Sequence, residues 1–572
     1  MTINGIGVSP GIAIGKAHLL KKQEAALTGI VLLNEADIAI ETDKFNNAVA
    51  LSVQEVEAMI SNYDQSQGNE GLEILETHIE LLSDPQISED VTGKISKEKK
   101  NVNDAVIEVI ADVVQLFKNM DDEYLSARAA DVQDIGNRLL RNLNASTQTH
   151  TPSYEADTII IAEDLTPSDT ISMDITHVIG FATQVGGRTS HAAIIARSRG
   201  IPAVVGCGAA LTDIKDGDLL ILDGQSGAII INPNQELVEQ YRVKKESWLK
   251  QINLLWSLKD TPATTTDGTN IKLLANIGDA NDMEQGIAFG AEGSGLLRTE
   301  LLFMGRDTLP GEDEQFEFYK TVALKAKGKP VILRTLDIGG DKQLPYFNFP
   351  AEQNPFLGYR AIRICLDRPD IFIVQLKAIL RASAFGQLKI MFPMISNIQE
   401  VRAAKAILQQ AKDELTKSGI AFNKNIPVGI MIEIPSAAIT ADLLAKEVDF
   451  FSIGTNDLCQ YTLAVDRMNE QIKDLYDPYN PGVLRLIAYV IEQGHKNNIE
   501  VGMCGELASD PKATLLLLGM GLTEFSMSAI AIPEIKNIII NSSLIAAKQI
   551  HRRVIEMDSS ALIIAYLQEV TS

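Results

Sequence analysis

The sequence predicts a multidomain α/β protein: an α/β domain in two segments with an inserted α-helical bundle, a linker helix, and a C-terminal (β/α)8 TIM barrel. Three observations carry that expectation. A chain of 572 residues exceeds what one hydrophobic core holds and suggests about three to four units. Near the start, strand-like alternation flanks a proline-poor stretch of helical periodicity. The remainder repeats strand then helix eight times over about 300 residues.

Residues 1 to about 20 read as short strands with a turn at Ser9-Pro10-Gly11. From Asn34 to about Arg141 apolar residues recur at helical spacing, as in Ile38, Phe45, Val49, Val53 and Val56, or Leu72, Leu75, Ile79 and Leu82. Asp84-Pro85 marks a break, so the segment reads as two helical hairpins. Alternation returns at 158–162, 177–182, 202–206 and 219–223, with helices between. The flanking strands then make one domain from 1–22 and 146–232, and 23–145 is its helical insertion. A polar-faced helix from Glu236 to about Lys259, with Trp248 and Trp256 as packing residues, gives a linker over 233–260. The barrel takes 261–572, with strands expected at 271–277, 293–298, 330–336, 388–394, 428–434, 450–455, 499–504 and 524–527.

Composition narrows the class. Hydrophobic residues at 45% and charged residues at 22% are those of an ordinary globular protein. A net charge of −24 argues against non-specific binding to nucleic acid or anionic lipid and leaves room for a basic protein partner. Cys207, Cys365, Cys459 and Cys504 lie far apart without a CxxC pair, so neither a disulfide framework nor a structural zinc site is suggested. The first residues lack the basic and apolar regions of a signal peptide, and no apolar run approaches the about 18 residues of a membrane span. The expected location is the cytoplasm.

Gly186-Gly187-Arg188-Thr189-Ser190-His191, followed by the apolar run Ala192-Ala193-Ile194-Ile195-Ala196, sets an imidazole at the mouth of a helix behind a glycine turn. Thr189 or Ser190 can cap that helix, and its free N–H groups and dipole favour an anionic group on the ring. A neutral imidazole nitrogen is also a competent nucleophile near pH 7, which suits a phosphoryl carrier. The plainer reading is a polar residue near a helix start.

In the barrel, polar residues fall at the carboxyl ends of the expected strands, where that fold carries its chemistry. Arg298 ends the second strand, Arg334 the third and Glu433 the fifth; Asn456 and Asp457 follow the sixth, and Cys504 with Glu506 ends the seventh. Burying such charges costs several kcal/mol unless they pair or bind something, which points to a ligand. Glu433 and Asp457 supply hard oxygens suited to Mg²⁺, the alternative being ion pairs with nearby arginines. Arg298, Arg334 and Arg467 offer forked donors for phosphate and carboxylate, and Lys342 in Gly339-Gly340-Asp341-Lys342 adds a point charge. Cys504, between glycines in Gly502-Met503-Cys504-Gly505-Glu506, reads as a proton donor to carbon, a covalent nucleophile or an inert thiol. The motif holds no histidine to deprotonate it, which favours donor over nucleophile. Together these groups describe one reaction: phosphoenolpyruvate gives its phosphoryl group to His191, and Cys504 protonates the enolate to pyruvate.

The chain resembles Enzyme I of the bacterial sugar phosphotransferase system from Gly5 to beyond Pro533. The likeness is carried by the Gly186 to His191 string with Gly295-Leu296-Leu297-Arg298-Thr299-Glu300, Arg334-Thr335-Leu336-Asp337-Ile338-Gly339-Gly340-Asp341-Lys342, Ser452-Ile453-Gly454-Thr455-Asn456-Asp457-Leu458 and Gly502-Met503-Cys504-Gly505-Glu506-Leu507. The resemblance implies phosphorylation of His191 on Nε2, phosphoenolpyruvate binding by Arg298, Arg334, Asn456 and Arg467, Mg²⁺ on Glu433 and Asp457, and Cys504 as proton donor. It further implies transfer to the carrier protein HPr, docked on the helical insertion, and a homodimer joined through the barrel domains. Ile434 and Cys459 stand where the family often has threonine. The helical segment matches least outside residues 121–141, and His78 there is either an HPr contact or part of a solvated helix face. The alternatives are a phosphoenolpyruvate synthase or pyruvate-phosphate dikinase, which would need an ATP-binding domain, and an inactive phosphoenolpyruvate-sensing regulator.

Overall fold

The computed structural model describes residues 1–571 apart from 21–26, 32–33, 62–69, 119–122, 145–153, 167–168, 171–172, 174–175, 188–189, 305, 341, 343, 345, 348, 350–351 and 470. Arg188, Thr189, Asp341 and the expected borders at 22–23 and 145–146 lie outside the described residues, as do some helical side chains, that of His191 among them. The chain forms two compact units, Met1–Gln251 and Ile252–Ser572.

The first unit is built on an eight-stranded mixed sheet in the order β1-β8-β7-β3-β4-β5-β6-β2. Its strands are β1 (Thr2–Asn4), β2 (Ile6–Ser9), β3 (Ile12–Leu20), β4 (Thr158–Ala162), β5 (Val178–Thr183), β6 (Ala203–Val205), β7 (Leu219–Asp223) and β8 (Ala228–Ile231). β3 pairs in parallel with β4 and antiparallel with β7, so strands from either side of the helical stretch share one sheet. The apolar run of β4 serves two faces because successive side chains alternate. Ile159 and Ile161 enter one core, and Ile160 and Ala162 the other. β8, which adds to the edge of β7 and then holds β1, is absent from the sequence expectation. Its run of Ala228-Ile229-Ile230-Ile231 is too short to show a period.

Five helices occupy the intervening described residues: α1 (Glu35–Ser61), α2 (Glu70–Leu82), α3 (Pro85–Lys97), α4 (Val102–Lys118) and α5 (Glu123–Asn144). This corrects the expectation of two hairpins. Asp84-Pro85 does start a helix, the Asp84 carboxylate accepting from Gln86 N–H at 2.7 Å. The break between α3 and α4, however, turns through Lys99 at φ 56° with neither glycine nor proline to signal it. His78 corrects a second expectation. Its side chain is wholly buried, with Nε2 3.5 Å from Asp131 Oδ1 and 4.0 Å from Asp134 Oδ2, and so belongs to no solvated face. Helix α6 (His191–Arg199) packs two ways: Ala192, Ala193 and Ala196 join the core against the sheet, and Ile195 joins the core of the helical bundle. Helix α7 (Gln235–Ser257) follows, with no residue fully buried. Trp256 lies against Phe289, ring centroids 4.7 Å apart.

The second unit is a closed barrel of eight parallel strands. They are β9 (Lys272–Ile277), β10 (Ser294–Arg298), β11 (Val331–Arg334), β12 (Leu388–Phe392), β13 (Val428–Ile432), β14 (Phe450–Ile453), β15 (Glu500–Met503) and β16 (Glu524–Met527), and β16 returns to pair with β9. Each lies within the range expected for it. Leu296, Ile332, Met391, Met431, Phe450 and Cys504 pack together as one buried cluster of barrel residues, and the strands also bury apolar side chains among the surrounding helices. All four cysteines are free and buried. Among the described residues no single helix is long and apolar enough to cross a membrane.

Candidate active site

Parallel strands in a barrel end at the same face, so the residues that close them converge. Arg298 is the last residue of β10 and Arg334 the last of β11; Glu433 and Cys504 each stand one residue past their strands. Asn456 and Asp457 open the helix Thr455–Leu463 after β14. These six, with Lys342 and Arg467, line one cavity of about 620 Å³. It therefore brings together every barrel residue singled out in the sequence.

The cavity wall contains a buried charge network of which the sequence reading assigned only Arg334 and Lys342. The Arg334 guanidinium donates from Nη2 to Glu300, and its Nη1 lies 3.1 Å from Asp337 Oδ2. Lys342 Nζ donates to Glu300 Oε1 at 2.9 Å and to Asp337 Oδ2 at 3.0 Å. Arg360 donates to Asp337 Oδ1 at 3.1 Å and to the Tyr461 hydroxyl at 3.1 Å. Burial opposes the charges of Glu300, Asp337, Arg334 and Arg360, yet the opposite neighbours prevail. Arg334, and after it Lys342, hold Glu300 and Asp337 below the usual carboxylate range, and Glu300 with Asp337 raises Arg334. Glu300, Asp337 and Arg360 were not assigned from sequence. Asp337 sits at i+3 from Arg334, a spacing that could have flagged it, whereas Arg360 comes from the long loop after β11 and carries no local signal.

Among the described residues neither Glu433 nor Asp457 is ion-paired to that network, although Arg334 and Arg360 act on Glu433 through space. Burial first, and the Asp457 carboxylate second, push Glu433 up to about 8. Glu433 Oε1 accepts from the Met394 N–H at 2.5 Å, and Asp457 Oδ1 is buried without a hydrogen-bond partner among the described residues. Two crowded carboxylates, one with an orphaned oxygen, form a donor set that a hard divalent cation fits. Among the described residues no group of three or more such side chains converges, so a cation here would complete its shell with water and ligand oxygens.

Cys504 is 6% exposed, and burial pushes its thiol up to about 11. It is therefore protonated at neutral pH. Its Sγ lies 3.9 Å from the Ile453 carbonyl.

His191 belongs to the other unit, where it opens α6 behind Gly186, whose φ of 109° only glycine adopts without strain. Ser190 is the N-cap residue, its hydroxyl accepting from Ala193 N–H at 3.4 Å.

Three family models match the chain, each described as a PEP-utilising enzyme: the N-terminal part at residues 4–128, the mobile domain at 154–227 and the PEP-binding domain at 253–544. The phosphoenolpyruvate-protein phosphotransferase of Staphylococcus carnosus (strain TM300) is 45% identical over 571 residues, covering 100% of this chain and 99% of its own. That of Bacillus subtilis (strain 168) is 47% identical over 567 residues, covering 99% of each. That of Bacillus sp. (strain S) is 49% identical over 531 residues, 93% of this chain and 91% of its own. With matches of that depth along its whole length, and a charged cavity at the carboxyl face of its barrel, the chain belongs to the phosphoenolpyruvate-protein phosphotransferase family of PEP-utilising enzymes.

Proposed function

We propose that the protein transfers the phosphoryl group of phosphoenolpyruvate to its own His191 Nε2, releases pyruvate, and passes the group to a histidine of the carrier HPr, the first step of sugar uptake by the phosphotransferase system. The observation that carries this reading is the convergence of Arg298, Arg334, Arg467, Lys342, Asn456, Glu433 and Asp457 on one cavity that also holds a buried, protonated thiol. A phosphate, a carboxylate and a carbon awaiting a proton are the three features of that substrate such a set would serve.

In this reading the guanidinium forks of Arg298, Arg334 and Arg467 grip the phosphate and carboxylate, with Asn456 and Lys342 completing the contacts. Glu433 and Asp457 would hold Mg²⁺, which when bound would stabilise negative charge developing on the enol oxygen. As the phosphorus–oxygen bond breaks, its electrons pass to that oxygen and the phosphorus–nitrogen bond to His191 forms. Cys504 then gives its proton to the methylene carbon, yielding pyruvate.

The same reading assigns 1–22 with 146–232 to the phosphohistidine domain, 23–145 to HPr docking, 233–260 to the linker and 261–572 to substrate binding and dimerisation. It extends to a cytoplasmic homodimer joined through the barrels. In support of the metal site, Arg334 and Arg360, the cations that act on Glu433, are already ion-paired with Glu300 and Asp337. The test is His191→Ala: it should remain folded and fail to phosphorylate HPr from phosphoenolpyruvate. A variant that still labels HPr would refute the assignment.

A further inference from the structure

Cys504 follows β15 in a turn held on several sides. Its N–H donates to the Ile453 carbonyl at 3.1 Å. Gly505 lies so close to Thr455 that an added Cβ would fall 1.9 Å from the threonine hydroxyl. The Glu506 N–H donates to Asn456 Oδ1 at 3.0 Å, and Asn456 Nδ2 returns to Glu506 Oε1 at 3.1 Å. All of these restraints come from β14 or the helix after it.

One restraint comes from the opposite side. Asn276, on β9, donates from Nδ2 to the carbonyl oxygen of Cys504 at 3.0 Å. A carbonyl can only accept, so the amide must present its NH₂ there, which turns Oδ1 toward β16. Oδ1 accepts from the Ser526 hydroxyl at 2.7 Å, and Ser526 is 2% exposed. A buried hydroxyl and an amide among apolar strand residues are costly unless mutually satisfied, and here each completes the other. We propose that Asn276, oriented by Ser526, is a positioning residue that pins the Cys504 turn from the β9 side and so aims the thiol at the reacting carbon.

This inference rests on Cys504 as the proton donor. In that step the S–H bond breaks, a C–H bond forms at the methylene carbon, and the thiolate recovers a proton from water. Asn276 carries no charge for phosphate or carboxylate, and Asn456 stays anchored to Glu506 from the helix after β14, so losing the Asn276 contact would misplace the proton far more than it weakens binding.

Single-turnover release of pyruvate from phosphoenolpyruvate with Mg²⁺ tests it in the full-length protein. Asn276→Ala is expected to lower the rate at saturating substrate about tenfold with half-saturation changed less than about twofold, and the Asn276→Ala/Cys504→Ala double variant to be no slower than Cys504→Ala alone. Losses that multiply, a rate equal to wild type, or a rise in half-saturation matching the loss in rate would overturn it. If Asn276→Ala does not fold, Ser526→Ala keeps the amide but frees it to turn, and should show the same pattern at about threefold, with no change overturning the proposal. Wild-type activity in Cys504→Ala would sink the donor reading and this one with it. An inactive Cys504→Ala beside a fully active Asn276→Ala would sink this one alone.

Discussion

Arg334 brings a guanidinium into a wall where it is 7% exposed, and it is tolerable there because Glu300 and Asp337 lie against it. The same two carboxylates also engage Lys342, and Asp337 engages Arg360, so three cations are held in fixed places before any substrate arrives. Such preorganisation lets an anion meet donors that need no rearrangement. Cys504 shows the complementary logic, since burial rather than a partner sets its protonation. With the thiol at about 11, alkylation of Cys504 by iodoacetamide should be slow at pH 7 and climb about tenfold per unit up to pH 10, as the thiolate fraction rises. Peptide mass spectrometry of the alkylated protein reads this. A rate that levels off by pH 8 would mean that the thiol is activated as a nucleophile instead.

At the scale of elements, the barrel separates its two ends. The carboxyl ends of the strands carry the cavity, and the opposite end is closed by ion pairs: Lys272 Nζ lies 2.6 Å from Glu500 Oε1, and Lys389 Nζ 2.7 Å from Glu500 Oε2. Burial opposes ionisation of Glu500, yet the hydrogen bonds from Lys272 and Lys389 bring it to about 2. That value lies below the roughly 4.3 of an unfolded chain, so the stabilisation is complete above the latter and is lost as pH falls through the former. Because Glu500 is half exposed, Glu500→Gln should cost only about 1 kcal/mol at pH 7, and the difference from wild type should shrink toward pH 2. Urea unfolding at pH 7 and pH 2.5 measures both, and an equal difference at the two pH values would contradict the assignment. The barrel strands were legible in sequence because each is a short, largely apolar run, and several are ended by a charged or polar residue, as β10 is by Arg298 and β11 by Arg334. The same contrast exposed Arg298, Arg334, Glu433, Asn456, Asp457 and Cys504 in the cavity lining. Glu300, Asp337 and Arg360 escaped because they lie beyond the strand ends, where no periodicity marks which side chains fold back. The helix count escaped because Lys99 makes a left-handed turn that its residue type does not announce, and His78 because helical spacing alone does not tell a buried polar position from a solvated one.

At the scale of the molecule, two units carry the two candidate stations: one presents a histidine on a capped helix, the other a cavity lined by arginines, a lysine and carboxylates. Helix α6 links its own unit internally, with alanines toward the sheet and Ile195 toward the helical bundle, so the histidine is seated where the domain proposed to carry it meets the insertion proposed to bind HPr. Neither unit alone accounts for a protein of this family, since a cavity without an acceptor has nowhere to send the phosphoryl group. The central claim, that His191 is that acceptor, is tested most directly by exposing the full-length protein to phosphoenolpyruvate and Mg²⁺ and mapping the added phosphate by mass spectrometry under conditions that preserve phosphohistidine. The account predicts one phosphoryl group on the peptide containing His191 and none after treatment with ATP; phosphate on any other residue, or none at all, would contradict it.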